Sequence, residues 1–368
     1  GNQQVGVDLS QGAQNGQTSN VLVNSGSYGL TYIGGNNLKV TINTSKHNKL
    51  VLGYWYENYN LNEHDPVWKV DQGTGAPSTM WSSSSIFTLD NGSPYYSANY
   101  FLHYELNAPY IKDSLSLFHD RLLLEAGFKD VMVTRTVDNH IQGATPHHGV
   151  SENIPLPVFS SRFDIDRHNQ VYLVAEVDYR QPFMGSTIDA FSISSGQKIN
   201  GASQPKSEYA IKEEIGWRYH DRLLSASVAL FNMNITNRLL TLNTVQQGVQ
   251  VSRTLNAGGQ TSRGVEAQIG TAPLWGRFTP YASFAYLAAR QDNNTLTTDI
   301  AGNSATLATA GKTQISSPHY QAGLGLAYDD GTFFGNLNLN TLVLGMQHWP
   351  MMKKFPDISL IISLWVFA

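Results

Sequence analysis

Apolar residues recur at every second position along most of this 368-residue chain, and the positions between them carry little charge. Leu38, Val40 and Ile42 share one side of a segment whose other side is Lys39, Thr41 and Asn43. Residues 50–57 set Leu50, Leu52, Tyr54 and Tyr56 against Val51, Gly53, Trp55 and Glu57. Residues 121–129 and 170–179 repeat the rhythm, and residues 264–270 alternate Val265, Ala267 and Ile269 with Glu266 and Gln268. Residues 322–328 and 333–339 continue it. A period of two marks strands with one apolar and one polar face, so an all-β fold is expected.

The polar face narrows the class. Charged residues make up 14% of the chain, against ~25% in ordinary globular proteins. The wet face of a soluble sandwich usually carries many Lys and Glu; here it carries Gly, Ser, Thr, Asn and single charges. That composition suits the inner wall of a wide barrel whose apolar face meets lipid. Alternation alone leaves a soluble β-rich binding protein open. Aromatics at 11% disfavour disorder. A net charge of −4 gives no pull toward nucleic acid. The absence of Cys excludes disulfides and thiolate metal sites. No apolar run reaches the length of a membrane-spanning helix.

The connections favour the barrel. Short polar turns are expected at 45–48, 111–114, 166–169, 220–222, 273–277 and 329–331, and long Gly/Ser/Asn-rich stretches at 60–95, 138–156, 183–206 and 291–316. Outer-membrane barrels alternate short periplasmic turns with long extracellular loops in this way. The pattern gives roughly a dozen strands. Residues 223–243 and 249–271 each read as one long strand, with a bulge near Leu230 and Phe231 where the alternation slips.

Four segments, in order, resemble the C-terminal part of the barrel of TonB-dependent outer-membrane receptors. Residues 114–129 (SLSLFHDRLLLEAGFK) resemble the strand pair entering the family's "GlR" signature. Residues 206–239 resemble its most recognisable hairpin, with Glu213 to Tyr219 on the "ElGxxy" strand and Ala229, Leu230 and Phe231 on "alF". Residues 262–270 match the "GvE" strand, and residues 317–331 the strand beginning at Pro318. The resemblance implies a partial antiparallel transmembrane β-barrel over residues 1–340, in the outer membrane of a Gram-negative bacterium, in contact with outer-membrane lipid. It also implies uptake of a ligand such as a ferric siderophore. No catalytic residue and no cofactor are implied, and TonB would be engaged only through a plug region that these residues do not supply. A full barrel of this kind has ~22 strands. Glu266, with Gly264 and Gly270 on the same face, is expected to look into the lumen. Trp217, Tyr219, Tyr281, Phe284 and Tyr286 are expected to form an aromatic girdle.

Residues 341–368 break the pattern and are expected to be an aberrant, frameshifted tail. Read one frame over from the last base of the Asn340 codon, Met346-Gln347 must give Ala, Trp349-Pro350 must give Ala, and Met351-Met352-Lys353 must give Asp-Glu. Permitted codons turn the whole tail into YSGTRYATLADDEKVPGYFTHNFSLGF, a strand end, a polar loop and an alternating strand.

Candidate chemistry is sparse. No phosphate-binding glycine loop, zinc-protease helix or nucleophile elbow occurs, and an enzyme is not expected. His140, His147 and His148, and His64 with Asp65, read as exposed polar loop rather than metal sites. Trp68, Trp81, Tyr95 and Tyr96 fall in a long polar loop, where large aromatics suit ligand contact; girdle anchoring or loop packing is the competing reading. A passive porin-like barrel and an outer-membrane enzyme barrel remain as rivals, the latter needing a catalytic cluster at one rim.

Overall fold

The structure of the protein is a computed structural model. It describes residues 23–71, 73–76, 85–88, 94–141, 146–182, 190–191, 198–200, 205–246, 249–298, 304–314, 317–344 and 358–367. No α-helix occurs among them. The strands are β1 (Val23–Ser25), β2 (Tyr28–Asn43), β3 (Asn48–Lys69), β4 (Tyr96–Leu117), β5 (Leu122–Asn139), β6 (His147–Asp164), β7 (Asn169–Arg180), β8 (Ala190–Phe191), β9 (Lys198–Asn200), β10 (Glu208–His220), β11 (Leu224–Thr236), β12 (Leu239–Gln246), β13 (Val249–Asn256), β14 (Gln260–Thr271), β15 (Phe278–Gln291), β16 (Thr295–Thr298), β17 (Ser304–Leu307), β18 (Pro318–Asp329), β19 (Phe334–Leu344) and β20 (Ile358–Phe367). Fourteen of them form one antiparallel sheet in the order β1-β3-β4-β5-β6-β7-β10-β11-β14-β15-β18-β19-β20, with β2 also on β3. β8–β9, β12–β13 and β16–β17 form separate hairpins. The sheet does not close: β2 and β20 stand at its ends and pair with no common neighbour.

The register shows that alternation is shared across strands. Leu52, Ile111, Phe128, Phe159, Leu173, Ile215, Val228, Ile269, Phe284 and Leu324 all lie on one face, here called outward, and all are exposed. A continuous exposed apolar face over this many strands is untenable in water and natural against acyl chains.

The outward face changes character at one level. Tyr56 lies opposite Asn107, Asn107 opposite Met132, and Met132 opposite Asn153. Toward the short turns the outward positions are apolar. Above the line they become Asn58, Asn60 and Asn62 on β3, Glu105 and His103 on β4, Thr134 and Thr136 on β5, and Ser151 on β6. The inward face inverts in the opposite sense. Leu106, Ala108, Val131, Val133 and Ile154 are fully sealed there, with Tyr104, against Tyr179 and Tyr209. β3 and β4 have 22 residues each, about twice the roughly 9–11 that a transmembrane strand needs. Leu106→Ala is expected to lower unfolding free energy by about 2–5 kcal/mol, as measured by urea titration in detergent.

Prolines explain how those tyrosines reach the inward face of β4–β6, although their own parity is outward. β5 stays paired opposite both Pro155 and Pro157, so their missing N–H groups lie on the β7 side. The β6–β7 ladder accordingly ends at Val158 opposite Glu176. Above it, the ends of β7 and β10 pass inside the β4–β6 layer.

Several expected boundaries move. Residues 111–114 are strand, and the turn lies at Phe118–Arg121, where Phe118, His119 and Asp120 adopt positive φ. Residues 147–156 are strand rather than loop. The two long strands expected over 223–243 and 249–271 are each divided, at Asn237 (φ 51°) and at Gly258 (φ 87°). No bulge interrupts β11 near Leu230 and Phe231. Phe231 is simply an inward aromatic, lying so close over Gly264 that a Cβ there would come within 2.5 Å of its ring. Gly264 is needed for this contact and for the Tyr286 carbonyl oxygen, which a Cβ would meet still more closely.

Turn aspartates set the short connections. Asp221 accepts hydrogen bonds from the Tyr219 hydroxyl and the Leu224 and Leu223 amides, which draw its pKa down to about 2. Asp330 is drawn to about 2 by the Phe333 and Thr332 amides and the Tyr328 hydroxyl. Because these folded pKa values lie below the ordinary value, the turn bonds are complete above roughly pH 4 and are lost as pH falls through about 2. Carboxyl carbon NMR of Asp221 is expected to titrate near that lower value.

Candidate functional site

Three groups of polar and aromatic side chains stand out among the described residues. The first contains the aromatics singled out from the sequence. Trp68, near the end of β3, is buried. Its ring meets Tyr28 edge-on at 6.0 Å, and Gly26 approaches it so closely that a Cβ would lie 2.7 Å away. Tyr95 packs instead on Val67 and Phe87. Val67 and Trp68 are successive strand residues and point to opposite sides, so Trp68 and Tyr95 sit on opposite faces of the same small cap. The cap is laced by backbone bonds from Phe87 N to Val67 O (2.9 Å) and from Tyr95 N to Phe87 O (2.7 Å). Burial raises the Tyr95 hydroxyl to about 12. Tyr96 opens β4 opposite Pro66, and Trp81 lies outside the described residues.

The second group lines the inward wall. Glu125 takes hydrogen bonds from Ser114 (2.9 Å) and Ser160 (3.3 Å) and pairs with Lys112 at 2.9 Å. The Tyr172 hydroxyl donates to Glu214 (2.6 Å), and the Arg218 guanidinium sits 4.2 Å over the Tyr172 ring. Tyr172, Glu214 and Arg218, with Glu266, Gln268, Ser283, Gln321 and Asn340, border an open cavity of about 520 Å³. Glu266 therefore lies on the inward face, as its place in the alternation requires.

The third group was not foreseen. Arg135 on β5 and Glu152 on β6 are buried above the polarity line. Arg135 Nη2 donates to Glu152 Oε2 at 2.7 Å, and Ser207 binds the same carboxylate through its amide (2.8 Å) and hydroxyl (2.7 Å). Desolvation lowers the Arg135 pKa, and the Glu152 charge opposes that shift. Nearby, Gln181 donates to the Tyr104 hydroxyl at 2.9 Å. The clamp ties both stems of the β7–β10 connection to the β4–β6 layer. Its only trace in the sequence is a lone Arg among Val131, Val133 and Val137 on one face.

The histidines fall apart as a set. His147 and His148 are successive residues of β6 with opposite directions, and His147 pairs with Asp138. His64 stacks on Tyr28 at 5.5 Å. Among the described residues no three His, Asp or Glu side chains gather at metal-binding distance.

Solved structures share this fold. The unliganded ferric citrate transporter FecA aligns with TM-score 0.57 at 20% identity, over 88% of this chain and 43% of its own. The copper transporter OprC aligns with 0.60 at 15% identity, over 87% and 44%. The ferric yersiniabactin uptake receptor FyuA from Yersinia pestis aligns with 0.58 at 14% identity, over 88% and 44%. The chain thus spans less than half the length of each. The β-barrel of TonB dependent receptor-like proteins, a family of receptors and transporters rather than enzymes, matches residues 2–350. On that match, covering nearly all of its length, the chain belongs to the TonB-dependent receptor β-barrel family.

Proposed function

We propose that the chain is the C-terminal barrel portion of an outer-membrane receptor that takes up a ligand such as a ferric siderophore. The observation that carries this reading is the exposed apolar outward face, backed by a polar inward wall and by family membership. In this reading the aromatics Trp68, Trp81, Tyr95 and Tyr96 contact the ligand. TonB acts through a plug region, and the outward face meets outer-membrane lipid. These 368 residues alone do not transport, because the two end strands leave N–H and C=O groups unpaired in hydrocarbon, which is costly. Cells carrying only this chain are expected to show no siderophore-dependent growth under iron limitation and no heat-modifiable band on electrophoresis. Either response from the isolated chain would overturn its assignment as a portion.

We further propose that residues 341–368 arise from a shifted reading frame. β20 pairs with β19 from Ile358 opposite Val343 to Phe367 opposite Phe334, and a strand of the shifted frame would take that place. Genomic sequencing across codon 340 tests this: a single-base change that restores the alternating strand supports it, and a shifted frame without such a strand ends it.

A further inference from the structure

Where β7 and β10 pass inside the β4–β6 layer, their two faces keep different company. Tyr179 lies opposite Tyr209, and both pack on that layer. Arg180 lies opposite Glu208, one step further along the pair. Successive strand residues face opposite ways, so Arg180 and Glu208 point away from the layer, toward the barrel interior. Glu208 Oε2 accepts from Arg180 Nη2 (2.9 Å) and from the Leu239 amide (2.8 Å), and Arg180 Nη2 also donates to the Leu239 carbonyl (3.2 Å). The Glu208 side chain is 12% exposed and that of Arg180 61%. A second guanidinium comes from the next connection. Arg238 follows the positive-φ residue Asn237, and its Nη1 donates to a neutral amide, Gln314 Oε1, at 2.9 Å. Burial lowers the Arg238 pKa, the Glu208 charge raises it and the Arg180 charge lowers it, so the three charged groups act on one another.

We infer that Arg180 and Arg238 form a subsite for an anionic, carboxylate-bearing chelate. The inference deepens the uptake reading given under Proposed function and rests on it. Charge selects the sign of the ligand: two guanidinium groups accompany one carboxylate, which is already spent on Arg180 and a backbone amide. Geometry selects the group, because a guanidinium presents parallel N–H donors that match a carboxylate. The Leu239 carbonyl and the Gln314 amide hold the two heads without neutralising them, so less side-chain freedom is lost on contact. Partial burial of Arg238 strengthens its attraction for an anion. Glu208 limits the charge density that fits: beside it, separate single carboxylates are accommodated better than a doubly charged phosphate. A cationic chelate would meet two like charges.

The test measures uptake of radioactive iron by iron-starved cells lacking other iron receptors, with the protein expressed from its own locus so that its flanking segments are present. The probes are ferric citrate, a carboxylate chelate, and ferric desferrioxamine B, a cationic chelate without carboxylates. Uptake is expected from ferric citrate alone. Arg238→Met is expected to raise the half-saturating concentration about ten- to hundredfold, the loss of a hydrogen bond to a charged group. Arg180→Met, made separately, should do the same. Arg238→Lys keeps the charge and should retain most of the affinity, which a purely structural role for the side chain would not give. A heat-modifiable band on electrophoresis checks that each variant is folded. Uptake from the cationic chelate, or ferric citrate uptake unchanged in both folded Met variants, would overturn the inference. So would uptake from iron-loaded spent medium with neither probe taken up, and that result would leave the uptake reading standing. No uptake from any source would remove that reading itself.

Discussion

Glu152→Ala is expected to destabilise the protein by about 3–5 kcal/mol, because it leaves a buried guanidinium without its counter-charge. Arg135 and Glu152 expose 4% and 14% of their side chains, so solvent cannot replace the lost partner. Arg135 Nε and Nη1 already lack partners among the described residues, and the Ser207 amide and hydroxyl would join them. Glu152→Gln should cost less, since one amide oxygen still accepts. The double replacement of Arg135 and Glu152 by Met should return much of the loss, as buried ion pairs often exchange for apolar packing without penalty. Urea unfolding of the protein purified in detergent reads all three. A Glu152→Ala loss under 1 kcal/mol would show that the pair is not buried as described. Hydrogen exchange at Ser207 should accelerate in Glu152→Ala, because the clamp holds that stem.

The second large effect concerns the outward face. Leu52→Arg places a charge within the apolar band and is expected to cost about 2–4 kcal/mol in lipid. Asn60→Arg, eight residues along the same face of the same strand, should cost about 0–1 kcal/mol. Equal costs at the two positions would mean that the band does not meet hydrocarbon, and the sheet would need another partner for its exposed Leu, Ile and Phe. Unfolding from bilayers rather than micelles is the proper measurement, because detergent adapts to either residue.

Much of this architecture could be read from residue order because a strand records its two environments in alternate positions. Val265, Ala267 and Ile269 separate from Glu266 and Gln268 by parity alone, and the sheet keeps that separation. Turns held by an aspartate were equally visible, as at Asp166, Asp221 and Asp330. The polar run at 111–114 misled because Lys112 and Ser114 reach inward to Glu125 while Asp113 takes bonds from Asn48. Polarity there reflects a lumen, not a turn. Residues 147–156 misled in the reverse way: their outward side is polar, with Gly149, Ser151 and Asn153, so a strand there looks like a loop. The Arg135–Glu152–Ser207 clamp was invisible because its members lie 17 and 55 residues apart and meet only through strand pairing and a fold-over. Trp68 and Tyr96, expected in one long loop, instead end β3 and open β4, because their strands run on past the apolar stretch with polar residues that read as loop.

The paired prolines of β6 also bear on the chain before it reaches a membrane. Where the β6–β7 ladder stops, β6 pairs with no further strand on that side among the described residues, and such a side could template the addition of a foreign strand. Pro155 and Pro157 strip donors from that side, so it is a poor seed for aggregation during transit through an aqueous compartment. Restoring those donors with Thr at both positions would convert a protected border into a sticky one.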